Sequence, residues 1–387
     1  MTAIAPVDRV RNTRAPQSFS AAAVIEAARR RRAEVHRTGQ RRALLVSSGV
    51  VVLWTLLVTV GDQWGRVGDN AAAALTMVFG SFVAGSTPQG GGAVAFPVFT
   101  KILGVSAPDA ATFSLSIQAI GMGSTAAIIA LTGRAVDRGS LRLTVPSAIV
   151  GFLVGTALFS LVSLPGTYTK LFFTLVVVAA GASTVLSRRR GVVEQLRSAP
   201  LADTRTRIAV ILVAALGGIA SALFGSGADV AVYLLLTIVL GVRPSIGVAT
   251  SVVTMAAVSI VGLGLSFATG AITPAPIADT DIFGMWLAAI PVVVIGAPLG
   301  SLFASRVSPG VLAGFIAALA GLELASTALF LEELRTDPVV TAFGVAALVA
   351  TFAGVRTLLA LRDRVARDRD PQALSIRRID FEIGANR

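Results

Sequence analysis

Cysteine is absent from the 387-residue chain, and the only histidine is His36. Disulfides, thiol chemistry, Cys/His zinc sites and any His-based triad or proton relay are thereby excluded, and most familiar enzyme classes go with them. No catalytic group, metal site or cofactor is expected. Charge is scarce as well: 14% of residues are Asp, Glu, Lys or Arg, against about 25% in an ordinary soluble domain. Hydrophobic residues take that place, at 54% of the chain with a mean hydropathy of +0.80 spread along its whole length. So many apolar segments require lipid as their solvent, and helices are what satisfies the backbone there. The chain reads as an all-α polytopic membrane protein.

The formal charge of +12 comes almost entirely from arginine, with Lys101 and Lys170 the only lysines. These arginines cluster in tails and loops beside apolar runs, which is a mark of topology and not a nucleic-acid footprint. Residues 1–42 hold ten arginines and three acids, including the run Arg29 to Arg32. This stretch is too long and basic for a secretory signal peptide. It is expected to be a cytoplasmic tail, with Ala21 to Arg32 either lying on anionic lipid as a basic helix or simply solvated.

Apolar runs of spanning length occur at 43–60, 106–132, 143–163, 168–186, 245–269, 283–304, 310–330 and 338–360. Two further apolar regions, 71–104 and 208–242, are interrupted by Thr87-Pro88-Gln89-Gly90-Gly91-Gly92 and by Gly225-Ser226-Gly227-Ala228-Asp229. Their flanks, such as Ile208 to Phe224 and Val230 to Val242, fall short of the roughly 20 residues that a crossing needs. Each region is expected to be two half-helices meeting at mid-depth.

Loop charge orders these segments, because Lys/Arg-rich loops stay cytoplasmic. Loops 133–142 and 187–207 are net positive, while 61–70, 270–282 and 331–337 are net negative. Threading eight spanning helices through those assignments works only if each interrupted region enters and leaves on one side. Both breaks are then re-entrant hairpin tips, and both termini are cytoplasmic.

The same regions repeat. An offset of 137 places Gly80 on Gly217, Gly90 on Gly227, Leu103-Gly104-Val105 on Leu240-Gly241-Val242 and Ser114 on Ser251. At about 145, Pro146, Gly151 and Gly155 meet Pro291, Gly296 and Gly300; at 143, Ala182-Ser183-Thr184 meets Ala325-Ser326-Thr327. The expected organisation is a basic cytoplasmic tail at 1–42 and a first transmembrane helix at 43–60. Repeat 1 follows at 71–187, a cytoplasmic linker at 188–207 and repeat 2 at 208–330. A last helix at 338–360 and a cytoplasmic tail at 361–387 complete the chain. Each repeat is a broken hairpin plus three helices, and loop charge makes the two inverted, an arrangement common in secondary transporters. The glycine pairs Gly151/Gly155 and Gly296/Gly300 read as close-packing faces within each copy.

The run Gly90-Gly91-Gly92-Ala93-Val94-Ala95-Phe96-Pro97, then Gly104-Val105 and Thr112-Phe113-Ser114-Leu115, resembles the TauE/SafE sulfite-exporter family over roughly residues 71–330. The resemblance implies a transporter moving sulfite or a related sulfur-containing anion, such as an organosulfonate, across the bacterial inner membrane. In the second copy Gly227-Ala228-Asp229 stands where that family usually has another glycine triplet, and Leu234 replaces the proline. Ala249-Thr250-Ser251-Val252 still matches.

A small-anion site also follows from chemistry. A half-helix starting at mid-membrane exposes N–H groups with partial positive charge, and glycine lets an anion approach them closely. The expected donors are Gln89, Gly90, Gly91 and Gly92 at one tip, and Ser226, Gly227, Ala228 and Asp229 at the other. Ser114 and Gln118, or Thr250, Ser251 and Thr254, would join from the following helices. The plainer alternative is that the glycines serve hairpin geometry and the hydroxyls bond back to their own helices. Asp229 is a proton-coupling candidate whose plain role is helix N-cap. Glu323 is expected near the outer end of its helix, reaching headgroup water.

Other motif readings fail. Gly85 to Gly92 lacks the Lys-Ser/Thr of a P-loop. The Gly225 to Asp229 stretch has neither the spacing nor the second aspartate of an intramembrane aspartyl protease. A secondary anion transporter is therefore expected, with an anion channel and an intramembrane enzyme as the alternatives. Its partners are a small anion and the lipid bilayer, and self-association stays open.

Overall fold

The computed structural model describes residues 45–189, 195–274 and 280–369, together with Glu26 and Arg41. Most of the N-terminal tail and the last eighteen residues, where two of the tail expectations fall, lie outside the described residues. The described chain is helical with no strand, in the order α1 (Leu45–Val60), α2 (Trp64–Asp69), α3 (Ala71–Ser86), α4 (Gly92–Pro97), α5 (Ala107–Thr132), α6 (Arg138–Leu161) and α7 (Gly166–Arg189). Then come α8 (Thr204–Phe224), α9 (Ala228–Tyr233), α10 (Pro244–Ala268), α11 (Ile282–Arg306), α12 (Pro309–Phe330), α13 (Glu333–Thr336) and α14 (Pro338–Arg369). Among the described residues eight helices, α5 to α8, α10 to α12 and α14, are long and apolar enough to cross a membrane. This is a multi-pass membrane protein.

That set of eight shares seven members with the one read off hydropathy, and one is replaced. The helix expected at 43–60 is described only from Leu45 and so is not counted among the eight, whereas α8, expected as a half-helix, runs 21 residues. The reason is a cap outside the apolar run. Asp203 accepts the N–H groups of Arg205 and Thr206 at 3.3 and 3.1 Å, so the helix starts four residues before Ile208. At 1.5 Å per residue α8 is about 32 Å long, enough to cross a bilayer core. The stretch expected as a half-helix at 208–224 is a 21-residue helix, long enough to cross by length and composition alone, yet its end at Gly225 is buried against α5 inside the protein. The last helix also outruns its expected end at 360 and continues to Arg369.

Loop contacts sort the ends of the helices. At one end Asp137 binds the Ala199 N–H at 2.7 Å and the Ser140 N–H at 3.2 Å, while its own N–H donates to Thr250 Oγ1 at 3.0 Å. Leu196 exchanges backbone bonds with Gly241 and Arg243, both 2.9 Å. The two basic loops therefore meet each other and the end of the second interrupted region. At the other end Arg66 pairs with Asp281 and bonds the Pro274 carbonyl, joining the two acidic loops around 61–70 and 270–282. Thr167 bonds Glu333 at 3.0 Å, linking 164–167 to the third acidic loop.

Inside this frame the two interrupted regions share one backbone design. α4 and α9 each run on into a π-helical turn, Val98–Ile102 and Leu234–Val239, and end at a left-handed glycine, Gly104 (φ 69°) and Gly241 (φ 71°). π-turns of this kind recur at functional sites. Each region is clasped by a helix from the other half of the chain. The glycine face of α6 (Gly151, Gly155) lies against the α8 backbone at Ala215 and Ile219, and that of α11 (Gly296, Gly300) lies against α3 at Ser81 and Phe82. The glycine faces were expected to pack within each half; they pack across halves instead, because only there does helix backbone approach close enough to leave no room for a Cβ.

Candidate functional site

The breaks between α3 and α4 and between α8 and α9 meet face to face in the interior. Ser226 Oγ donates to the Gln89 carbonyl at 3.3 Å, and Gln118 Nε2, from α5, donates to the Gly225 carbonyl at 2.5 Å. Gln89, Ser114, Gln118, Ser226 and Asp229 are all 3% exposed or less, so this junction is closed off from bulk solvent. Glycine is required on both sides. Gly90 has φ +68°, and a Cβ there would stand 2.6 Å from Asp229 Oδ2 and 2.8 Å from Gln118 Oε1. A Cβ on Gly92 would stand 2.7 Å from Ser226 Cβ, whereas one on Gly91 would face away, toward Ala84 at 3.3 Å and Met77.

The two tips differ in how their donors are used. Among the described residues the N–H groups of Gly90, Gly91 and Gly92 meet no protein acceptor, so the start of α4 presents three unspent donors. At the other tip Asp229 Oδ1 accepts from the N–H groups of Gly227 (3.2 Å) and Val230 (2.9 Å), with the Ser226 hydroxyl at 3.4 Å. Ser221 Oγ, from α8, takes the Ala228 N–H at 3.0 Å. A resident carboxylate thus stands where a bound anion would stand at the first tip. Two equivalent donor clusters were expected; one is open and the other is filled by its own chain.

Unpartnered buried polar atoms gather at the same place. Gln89 Oε1, Ser114 Oγ, Gln118 Oε1 and Asp229 Oδ2 have no hydrogen-bond partner. For Gln118 the orientation is fixed, since Nε2 already donates to the Ser114 and Gly225 carbonyls, at 3.1 and 2.5 Å. Its oxygen and Asp229 Oδ2 therefore both turn toward Gly90. Two acceptors converging without a donor are costly in a buried place, and such atoms call for a missing partner. Gln89 sends its amide to Val177 O on α7 at 3.4 Å, so its donor end does not serve the tip.

The structure does not bring every expected residue here. The Thr250 hydroxyl accepts from Asp137 N and donates to Ile246 O at 2.7 Å, at the basic-loop end of α10. Ser251 bonds Val248 O at 3.0 Å, and Thr254 pairs with Thr144 at 2.9 Å. These hydroxyls are spent on helix and interhelix bonds.

A second buried polar group was not foreseen. Glu323 does not reach headgroup water: Lys101 Nζ, from the π-turn after α4, lies 2.6 Å from its Oε1, with side-chain exposures of 1% and 3%. Ser326 and Thr327 of α12 also accept from Lys101, at 3.0 and 2.8 Å, and Thr174 of α7 bonds Glu323 at 2.7 Å. Glu323 is held inside because a buried ammonium needs a counter-charge.

The sulfite exporter TauE/SafE family model matches residues 73–325, about two thirds of the chain and all of the junction. The chain belongs to the sulfite exporter TauE/SafE family. This is a family of membrane transporters described as sulfite exporters. Neither a curated protein nor a solved structure matches the chain.

Proposed function

We propose that the protein is a secondary transporter that exports sulfite or a closely related sulfur-containing anion, such as thiosulfate or an organosulfonate, across the bacterial cytoplasmic membrane. The basic loops lie inside, and the two interrupted regions are re-entrant hairpins of inverted repeats. The anion binds at the first tip, on the N–H groups of Gly90, Gly91 and Gly92. One observation carries this reading: three unspent backbone donors at a buried helix start, facing a cluster of unpartnered polar side chains.

Asp229 is the coupling group. Ionised, its free Oδ2 would repel an anion seated against Gly90; protonated, it would donate to that anion or to Gln118 Oε1 and satisfy the converging acceptors. Anion and proton are therefore expected to load together. An anion that itself carries a proton, such as hydrogen sulfite, would supply the same missing donor to Gln118. Ser114 contributes its hydroxyl; Ser226, Gly227 and Ala228 shape the facing tip.

Thermal stabilisation of the purified protein across sulfite, thiosulfate, taurine-like sulfonates, sulfate and carboxylates tests the substrate class, since ligand that binds only the folded state stabilises it by mass action. Sulfur oxyanions should stabilise and carboxylates should not. Equal stabilisation by all, or by none, would contradict the reading.

A further inference from the structure

The first interrupted region carries a buried ion pair that the anion site does not use. Its arm, α4 with the following π-turn, holds Lys101 nine residues beyond Gly92. α7 and α12 form the wall opposite, pressed together where a Cβ placed on Gly181 would stand 2.5 Å from the Ala320 methyl. The pair bridges arm and wall: Lys101 Nζ reaches Glu323, Ser326 and Thr327 of α12, and Thr174 of α7 donates to Glu323. Beyond the pair the arm is little held. Ile102 and Leu103 are exposed, and nothing stands within 4 Å of a Cβ placed on Gly104.

Depth sets the pair between the Gly92 donors and the acidic-loop end. Glu323 lies seven residues before the end of α12 and Thr174 eight after the start of α7, about 11 and 12 Å along those axes. Both helix ends adjoin the acidic loop 331–337, where Thr167 bonds Glu333. The matching place in the other half of the chain has no charge. The 137-residue offset sets Ile238 on Lys101, and the 143-residue offset sets Ala180 on Glu323 while keeping Ser183 and Thr184 on Ser326 and Thr327. Ile238 packs there with Val355, Leu359 and Ala179. An apolar contact therefore suffices to hold such an arm, and a buried ion pair is no more stabilising than a well-packed apolar one. What charge adds is a response to water. Closed, the pair is held by attraction at low dielectric; once water enters, hydration stabilises the two ions apart, whereas opening an apolar contact exposes hydrocarbon.

We propose that Lys101 and Glu323 form the gate at the acidic-loop end of the transport pathway. Closed, the pair seals the arm against α7 and α12; open, both ions are hydrated and the anion on the Gly92 donors gains an exit past them. The inference rests on the transporter reading above. Half-buried Lys170, one turn before Thr174 on α7, adds a second positive charge near Lys101 for a departing anion to follow.

The test uses full-length protein in liposomes. Thr100, beside Lys101 on the arm, is 4% exposed. In this cysteine-free chain Thr100→Cys therefore reports opening to a membrane-impermeant maleimide supplied from the acidic-loop face. The apolar pair Lys101→Met/Glu323→Leu favours the closed state and should slow both labelling and maximal sulfite flux about tenfold. Thermal stabilisation by sulfite should stay as in the wild type. Equal labelling rates, or undiminished flux, in the folded double variant would overturn the gate. Glu323→Gln acts in the other direction: it leaves Lys101 unpaired, favours the hydrated open state and should speed labelling. Unaltered labelling in that variant would also overturn the gate. A wild type that carries no sulfite would remove the transporter reading, and labelling, which follows opening without substrate, would then decide the gate by itself.

Discussion

Asp229 and Gln118 both reach the Gly90 backbone, their unpartnered oxygens standing 2.6 and 2.8 Å from where a Cβ would be. Among the described residues nothing donates to either oxygen. That relationship sets the Gly90 backbone beside Asp229, the coupling group proposed above.

Asp229→Asn keeps an oxygen that can accept from Gly227 and Val230, so the helix start stays capped. Anion binding should persist, while transport should lose its dependence on an imposed pH gradient. Liposome flux with and without the gradient measures this. The same gradient dependence in the variant as in the wild type would remove Asp229 from coupling.

Gly90→Ala should abolish anion binding, since a Cβ would meet both Asp229 and Gln118 and the left-handed backbone adds about 1–2 kcal/mol of strain. Gly91→Ala is the control, its Cβ facing α3 at 3.3 Å from Ala84. It should retain folding and binding. Equal loss in both variants would reduce the triplet to hairpin geometry.

Breaking the Lys101–Glu323 pair from one side strands a buried charge. Glu323→Ala should destabilise by about 3–5 kcal/mol, and the apolar double variant Lys101→Met/Glu323→Leu should recover most of that loss. Thermal unfolding of the three proteins decides it; a silent Glu323→Ala would show that Lys101 finds water.

Asp281 gives a pH prediction outside the membrane. Burial alone would raise its carboxyl, but hydrogen bonds from Arg66, Gly284 and Asn70 and the Arg66 charge hold it below the usual range. A folded-state value below the unfolded one, about 3.9, means the contribution is complete above that pH and lost as pH falls through the folded value. Unfolding of wild type should therefore become easier below about pH 4, and Asp281→Asn should flatten that part of the profile.

Much of this fold was legible because hydropathy and loop charge are cumulative signals. The Gly90–Gly92 break and the Gly225–Asp229 break appear as interruptions in long apolar runs, and the basic and acidic loops do gather at opposite sets of helix ends. What escaped depended on single contacts. Asp203 lengthens α8 through one cap; Lys101 and Glu323 are 222 residues apart; and the direction in which Gln118 turns its amide follows from the Gly225 carbonyl across the junction. Thr250 looked like a site residue by its match and depth, yet Asp137 takes it for the loop cluster. No periodicity announces which of two similar tips has filled its own donors.

In the proposed mechanism the start of α4 binds a sulfur oxyanion for transport. Sulfite efflux from liposomes holding wild type, Gly90→Ala or Gly91→Ala protein tests it most directly. Wild type and Gly91→Ala should show saturable sulfite efflux and a folded Gly90→Ala protein none; undiminished efflux through Gly90→Ala would rule out an anion site at the start of α4.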